Sequence, residues 1–155
     1  MTHDRGYGGA GAAHARRDTG LVTVWCDAAC DPAAAKPGGW AVVLRAEGGA
    51  IETRTGTVAR GMGPAQAELR AIAEAFDTAP VDTPLLVLTD CRVAADAAAG
   101  RAAEPDFPEW AQVRERLDAR PAPAEIRWRR RKTDAGLAAA HHLAAAARAL
   151  AVLAG

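Results

Sequence analysis

Aromatic residues are scarce in this sequence: Phe, Trp and Tyr make up 5% of its 155 positions, although half of the residues are apolar. Alanine supplies most of that apolar half, so the helices are expected to pack closely through small side chains. Net charge is lacking too, because nineteen Lys and Arg balance nineteen Asp and Glu. Overall charge therefore gives no argument for binding a nucleic acid or a membrane, and any such argument must come from local clusters. Cysteine is represented by Cys26, Cys30 and Cys91 alone. These form neither a disulfide framework nor a CxxC pair, which disfavours structural disulfides and a zinc site and points to a reducing cytoplasm. No run is read as approaching the roughly 20 apolar residues of a membrane span, so no membrane partner is expected. A monomer is the expected state.

Residues 1–20, "MTHDRGYGGAGAAHARRDTG", lack the apolar centre of a signal peptide and are read as a flexible tail. Residues 21–155 are long enough to bury one core of their own and are read as one domain. "LVTVWCD" (21–27) is β-rich and apolar on both alternating faces up to Asp27, as in a strand buried mid-sheet. "WAVVLRA" (40–46) and "IETRTGTV" (51–58), separated by "EGGA", predict two antiparallel strands and complete a meander. A helix is expected over 63–79, with Leu69, Ile72 and Phe76 on one face and a proline near its start. "TPLLVLTD" (83–90) reads as a second buried strand, followed by helices over 91–100 and 107–119. "AEIRWRRR" (124–131) predicts the last strand, and an alanine-rich helix from about Asp134 closes the chain. This order predicts an α/β fold, a mixed five-stranded sheet flanked by helices.

Three carboxylates stand where apolar residues would be expected. Asp27 is placed at the end of the first strand, Glu68 beside the core face of the first helix, and Asp90 at the end of the second buried strand. Taken singly, each could be a strand-end or helix-surface acid. Burying a carboxylate without compensation costs several kcal/mol or forces protonation, so three together suggest a metal site. Oxygen-only donors favour Mg²⁺ or Mn²⁺ over zinc.

The motifs around these acids resemble those of the type 1 ribonuclease H family, from Leu21 to about Ala151. "CDAACDPAAAKPGGWAVVL" is similar to the family's first strand, with its aspartate, proline- and glycine-rich loop and aromatic residue at Asp27, Gly38, Gly39 and Trp40. "QAELRAIAEAF" is similar to its AEL-like helix start, and "VLTDCRVAAD" to its TDS-like element with Cys91 in place of serine. The resemblance implies a ribonuclease H-like fold and an endonuclease that hydrolyses the RNA strand of RNA/DNA hybrids. It further implies two divalent ions, Mg²⁺ or Mn²⁺, with Asp27 bridging them and Glu68 and Asp90 completing the coordination. Contacts to 2′-hydroxyls would supply the requirement for RNA.

Departures from the pattern carry their own implications. Pro64 and Ala65, followed by Gln66, stand where the family often has two hybrid-binding asparagines, leaving Gln66 as the nucleic-acid-binding candidate. The loop that usually holds a histidine reads "KTDAG" here and offers Asp134. "AHHLA" stands where the family has an AD-x-LA element, so the resemblance puts His141 in the place of its fourth acid, as a metal ligand or proton-transfer group. Asp134 is the alternative for that position, and His142 is read as a surface residue. "RWRRRK" (127–132) puts five basic side chains in six residues. An edge strand protected by charge would explain the run, but beside the acids it is read as phosphate contact through Arg129, Arg131 and Lys132. Trp110 and Trp128 are read as core residues, and Cys91 as a packing residue rather than a nucleophile. The alternative function is a ribonuclease H-like domain that binds hybrid or structured RNA and cleaves it weakly or not at all.

Overall fold

The computed structural model describes residues 20–155; most of the expected N-terminal tail lies outside the described residues. The order is β1 (Val22–Ala29), β2 (Gly38–Ala46), β3 (Ile51–Val58), α1 (Pro64–Thr78), β4 (Leu85–Thr89), α2 (Arg92–Ala98), α3 (Pro108–Ala119), β5 (Ala124–Trp128) and α4 (Ala135–Ala154). A single 3₁₀ turn, Arg131–Thr133, joins β5 to α4. The five strands form one sheet in the order β3-β2-β1-β4-β5. β1, β2 and β3 pair antiparallel, whereas β4 runs parallel to both β1 and β5.

Alternation along the central strands builds a three-layer molecule. Val22, Val24 and Cys26 of β1 point to one face, where Leu69, Ile72 and Phe76 of α1, the small residues of α2, and Trp110 and Val113 of α3 complete the larger core. Trp25 points to the opposite face and packs with Val43, Leu88, Leu137 and Ala140, the last two from α4. Each fully buried Leu or Ile there contributes roughly 2 kcal/mol of hydrophobic stabilisation. Trp110 is 3% exposed, as expected of a core residue. Trp128 is half-buried against the same core, with the Arg92 guanidinium 4.1 Å above its ring.

Three expectations need correction. β1 continues through Ala29, so Asp27 lies inside the strand rather than at its end. β5 stops at Trp128 instead of running to residue 131, although the Arg129 N–H still donates to the Thr89 carbonyl at 2.9 Å. The basic run thus leaves the sheet as the turn into α4. Finally, Ala135–Ala154 is long and apolar enough to cross a membrane by length and composition. Its apolar character is mostly alanine, and one face, at Leu137, Ala140 and Ala144, is buried.

Candidate active site

Two parallel strands bring the first two acids together. The β1–β4 pairing ends at Trp25 opposite Leu88, and two residues further on stand Asp27, still within β1, and Asp90, just past the end of β4. Asp27 continues the alternation of Trp25 and so points to the α4 side of the sheet. It is 1% exposed, held in place by β1 pairing with Ala41 of β2. Asp90 directly follows β4 and remains half-buried. The third acid arrives from α1. Pro64 opens that helix and the Gly63 carbonyl accepts from the Ala67 N–H at 3.0 Å, which sets Glu68 one turn in, between buried Ala67 and Leu69. Glu68 Oε1 accepts from the Ala28 N–H of β1 at 3.4 Å. Ligand oxygens of Asp27, Glu68 and Asp90 then all lie within 4.8 Å of one another.

The electrostatics of this cluster are unfavourable without a cation. Burial, reinforced by the neighbouring Asp27 charge, holds the Glu68 carboxyl well above its ordinary value. Burial and Asp27 raise Asp90 as well, partly offset by Arg131. Asp27 Oδ1 and Glu68 Oε2 are buried with no hydrogen-bond partner. Two orphaned acceptors beside a third carboxylate suit a hard, oxygen-seeking divalent cation, which would satisfy both. The residues present therefore fit the metal that the resemblance implies.

His141, on α4, reaches the same cluster. Its Nδ1 lies 2.8 Å from Asp27 Oδ2, and the Nδ1–H donates to that carboxylate. Arg131 Nη1 stands 3.1 Å from the same nitrogen, but both groups then carry a proton there, so this is a contact rather than a second hydrogen bond. Arg131 Nη1 also lies 3.8 Å from Asp90 Oδ2. His142 is exposed. Asp134 is committed elsewhere: its Oδ1 accepts from the Leu137 N–H at 2.9 Å and caps α4.

The remaining expected residues take several positions. Arg129, Lys132 and Trp128, with Asp90, line an open groove beside the acids. Gln66 is engaged at both ends of its amide, accepting from the Gly63 N–H at 3.3 Å and donating to the Glu109 carboxylate at 3.4 Å. Cys91 donates its N–H to Thr89 Oγ1 at 3.1 Å at the head of α2. Burial pushes the Cys91 thiol up, which keeps it protonated and unreactive. Two features escaped the sequence reading. One is the inward turn of Arg131, which no local pattern marks. The other is the Gln66–Glu109 contact; a glutamine at the third helical position signals only the bond back to the Gly63 N–H.

Sheet order, helices on both faces and the placement of the acids define a ribonuclease H-like fold. The RNase H family model matches residues 19–133, and the chain belongs to that family. Among solved structures, the N-terminal RNase H domain of rv2228c from Mycobacterium tuberculosis, a fusion with maltose-binding protein, superposes with a TM-score of 0.69 at 18% identity, covering 86% of this chain and 97% of that one. RNase H1 from the halophilic archaeon Halobacterium salinarum NRC-1 matches with a TM-score of 0.66 at 24% identity, covering 83% and 97%. LC11-RNase H1 in complex with an RNA/DNA hybrid matches with a TM-score of 0.70 at 17% identity, covering 84% and 98%. Comparison with curated protein sequences returns no match.

Proposed function

We propose that this protein is a divalent-metal-dependent endonuclease that hydrolyses the RNA strand of RNA/DNA hybrids. The observation that carries the proposal is the convergence of Asp27, Glu68 and Asp90, with ligand oxygens within 4.8 Å, in a chain of the RNase H family. Asp27, Glu68 and Asp90 hold Mg²⁺ or Mn²⁺. When bound, the metal supplies Lewis-acid stabilisation of charge developing on the scissile phosphate. His141 positions Asp27 through its Nδ1–H. In the neutral imidazole that donation leaves Nε2 as an acceptor, able to take up a proton at the half-exposed mouth of the site. Arg129 and Lys132, from the groove beside Asp90, hold the backbone phosphates of the hybrid.

The test is cleavage of a labelled RNA/DNA hybrid with Mg²⁺ or Mn²⁺ by the wild type and by Asp27→Asn. Loss of cleavage in the variant is expected; equal rates would refute the role of Asp27. One observation favours the second reading, a domain that binds hybrid or structured RNA without efficient cleavage. Gln66, the candidate in place of the asparagine pair, has its amide tied to Gly63 and Glu109. Hybrid binding without turnover under either metal would select that reading.

A further inference from the structure

β3 is an open edge of the sheet. It heads the order β3-β2-β1-β4-β5, so one side of its backbone pairs with β2 and the other meets no strand among the described residues. Its residues pair one for one with β2, from Ile51 opposite Arg45 to Val58 opposite Gly38, and no bulge turns the edge away. Ile51, Thr53, Thr55, Thr57 and Val58 are β-branched, and the strand holds neither proline nor lysine. Sheet edges are ordinarily kept single by such residues, by bulges or by short length. β5, the opposite edge, is 5 residues long and runs straight into Arg129, Arg130 and Arg131. β3 has no comparable protection, and Ile51 at its start is 64% exposed.

The two charges that β3 does carry decide which strand it accepts. Glu52 and Arg54 are exposed and face the same side of the sheet, opposite Leu44 and Val42 of β2. Arg54 donates to Thr78 Oγ1 at 3.2 Å, a neutral hydroxyl that leaves its charge uncompensated, and a guanidinium has further donors to offer. The order acid, Thr53, base is its own complement when the strand is reversed. In an antiparallel pair of two copies centred on Thr53, Glu52 of each copy lies directly opposite Arg54 of the other. Thr53 then meets Thr53, and Ile51 meets Thr55. Opposite charges and threonine pairs at directly opposed positions stabilise such a ladder, whereas like charges there oppose it. The acids and bases of the whole chain cancel, so no net repulsion holds two copies apart.

We propose that a second copy of this chain docks along β3, antiparallel and centred on Thr53, so that the five-stranded sheet continues across a twofold axis. These few opposed pairs make a small interface, and association is therefore weak and depends on concentration. The monomer expected from the sequence is the dilute form. The acid cluster stands on β1, β4 and α1, and the groove of Arg129 and Lys132 lies towards the other edge of the sheet. Pairing through β3 leaves both open, and the dimer carries two such sites. The proposal depends on neither metal nor catalysis.

Sedimentation equilibrium of the full chain, run from about 1 μM to about 1 mM, the span of dissociation constants of weak complexes, reads the mass directly. A rise towards twice the chain mass is expected for the wild type. Arg54→Glu sets acid against acid in the pairing and Glu52→Arg sets base against base, so each variant alone is expected to stay at the chain mass. Mixed in equal amounts, the two restore opposite charges at both positions. The mixture is expected to double in mass again, which also shows that both variants are folded. A wild type that stays at the chain mass throughout would overturn the proposal. So would doubling that persists in either variant alone, which would move the contact to another surface, such as exposed Leu150 and Leu153 of α4. Failure of the mixture to associate, once both variants have lost the doubling, would overturn the pairing of Glu52 with Arg54 and the proposal with it.

Discussion

The imidazole of His141 on the last helix meets the buried carboxylate of Asp27 on the first strand at 2.8 Å, across 114 residues of sequence. This contact ties the closing helix to the centre of the sheet through the candidate active site. A carboxylate at position 141 would supply an anionic oxygen donor where the imidazole now offers a nitrogen, and Mg²⁺ prefers oxygen. His141→Asp is therefore expected to tighten Mg²⁺ by roughly tenfold, the lower end of what metal-site changes produce, and to raise Mg²⁺-supported cleavage. The same substitution adds a fourth acid to the cluster, so the metal-free melting temperature should fall. Calorimetric titration with Mg²⁺ and a thermal melt in chelator check the two halves separately. No gain in Mg²⁺ affinity would leave His141 with a role confined to positioning Asp27.

Glu68 links the site to stability through pH. Burial and the Asp27 charge raise its carboxyl well above the ordinary 4.5. Below that ordinary value both folded and unfolded chains hold the proton, and folding gains nothing from losing it. As pH climbs from there towards the raised folded value, the unfolded chain ionises more readily, and stability is lost. Asp90, raised from 3.8, acts in the same direction. Metal-free protein should therefore become less stable as pH rises from about 4.5, and added Mn²⁺ should reverse the loss. Glu68→Gln should flatten this dependence and weaken the rescue by Mn²⁺. Urea unfolding across the pH series, with and without Mn²⁺, is the measurement; an unchanged pH slope in the variant would count against Glu68 as its source.

Much of this arrangement could be read from the residues, for identifiable reasons. The meander was legible because β1 and β2 carry near-continuous apolar runs and a glycine turn precedes β3. α1 was legible from Leu69, Ile72 and Phe76 at helical spacing. The three acids were conspicuous because each interrupts an apolar context. Strand ends were less legible. Asp27 looks terminal because a carboxylate breaks the apolar run, yet the ladder continues opposite Ala41, Trp40 and Gly39. The arginines after Trp128 could equally line an edge strand or a turn, and only the short reach back to α4 decides for the turn. The inward aim of Arg131 depends on Asp90, remote in sequence, and on His141 in the following helix, so no local pattern could announce it. α4 misleads differently, because a helix made mostly of alanine is long and apolar enough to cross a membrane without being a continuous run of large apolar side chains.

The groove beside Asp90 predicts a salt dependence. Lys132 and Arg129 are both exposed and line the same groove, and although Arg129 helps to hold the Glu125 carboxyl below its ordinary value, its guanidinium is not locked in the Arg127–Glu125 ion pair. Each phosphate neutralised releases counterions, which steepens the fall of affinity with salt. Hybrid binding measured without divalent ions should weaken steeply as salt rises. Lys132→Ala and Arg129→Ala should each reduce the slope of log affinity against log salt by about 0.9. Arg127→Ala should leave it near the wild-type value, because that guanidinium is paired with Glu125 at 2.9 Å. Equal slopes in all four proteins would remove the groove from the binding surface.

Gly39 controls how closely α4 approaches the sheet. A Cβ at this position of β2 would run into the backbone of α4 at Ala144 and Arg148. Backbone atoms cannot rotate aside as a side chain can, so Gly39→Ala must push α4 away from β2. Overpacking of this kind costs about 1–3 kcal/mol, and the displacement acts one turn beyond His141, loosening its contact with Asp27. Gly136 makes a useful contrast, because there the added carbon would meet the Trp25 ring, a side chain with some freedom to turn. Gly39→Ala is therefore expected to lower the unfolding free energy more than Gly136→Ala and to slow hybrid cleavage beyond what the lost folded fraction explains. Urea denaturation alongside initial rates at a temperature where both variants are fully folded separates the two effects. Wild-type stability and rate in Gly39→Ala would mean that the seam between β2 and α4 is slack, and that the His141–Asp27 distance does not depend on it.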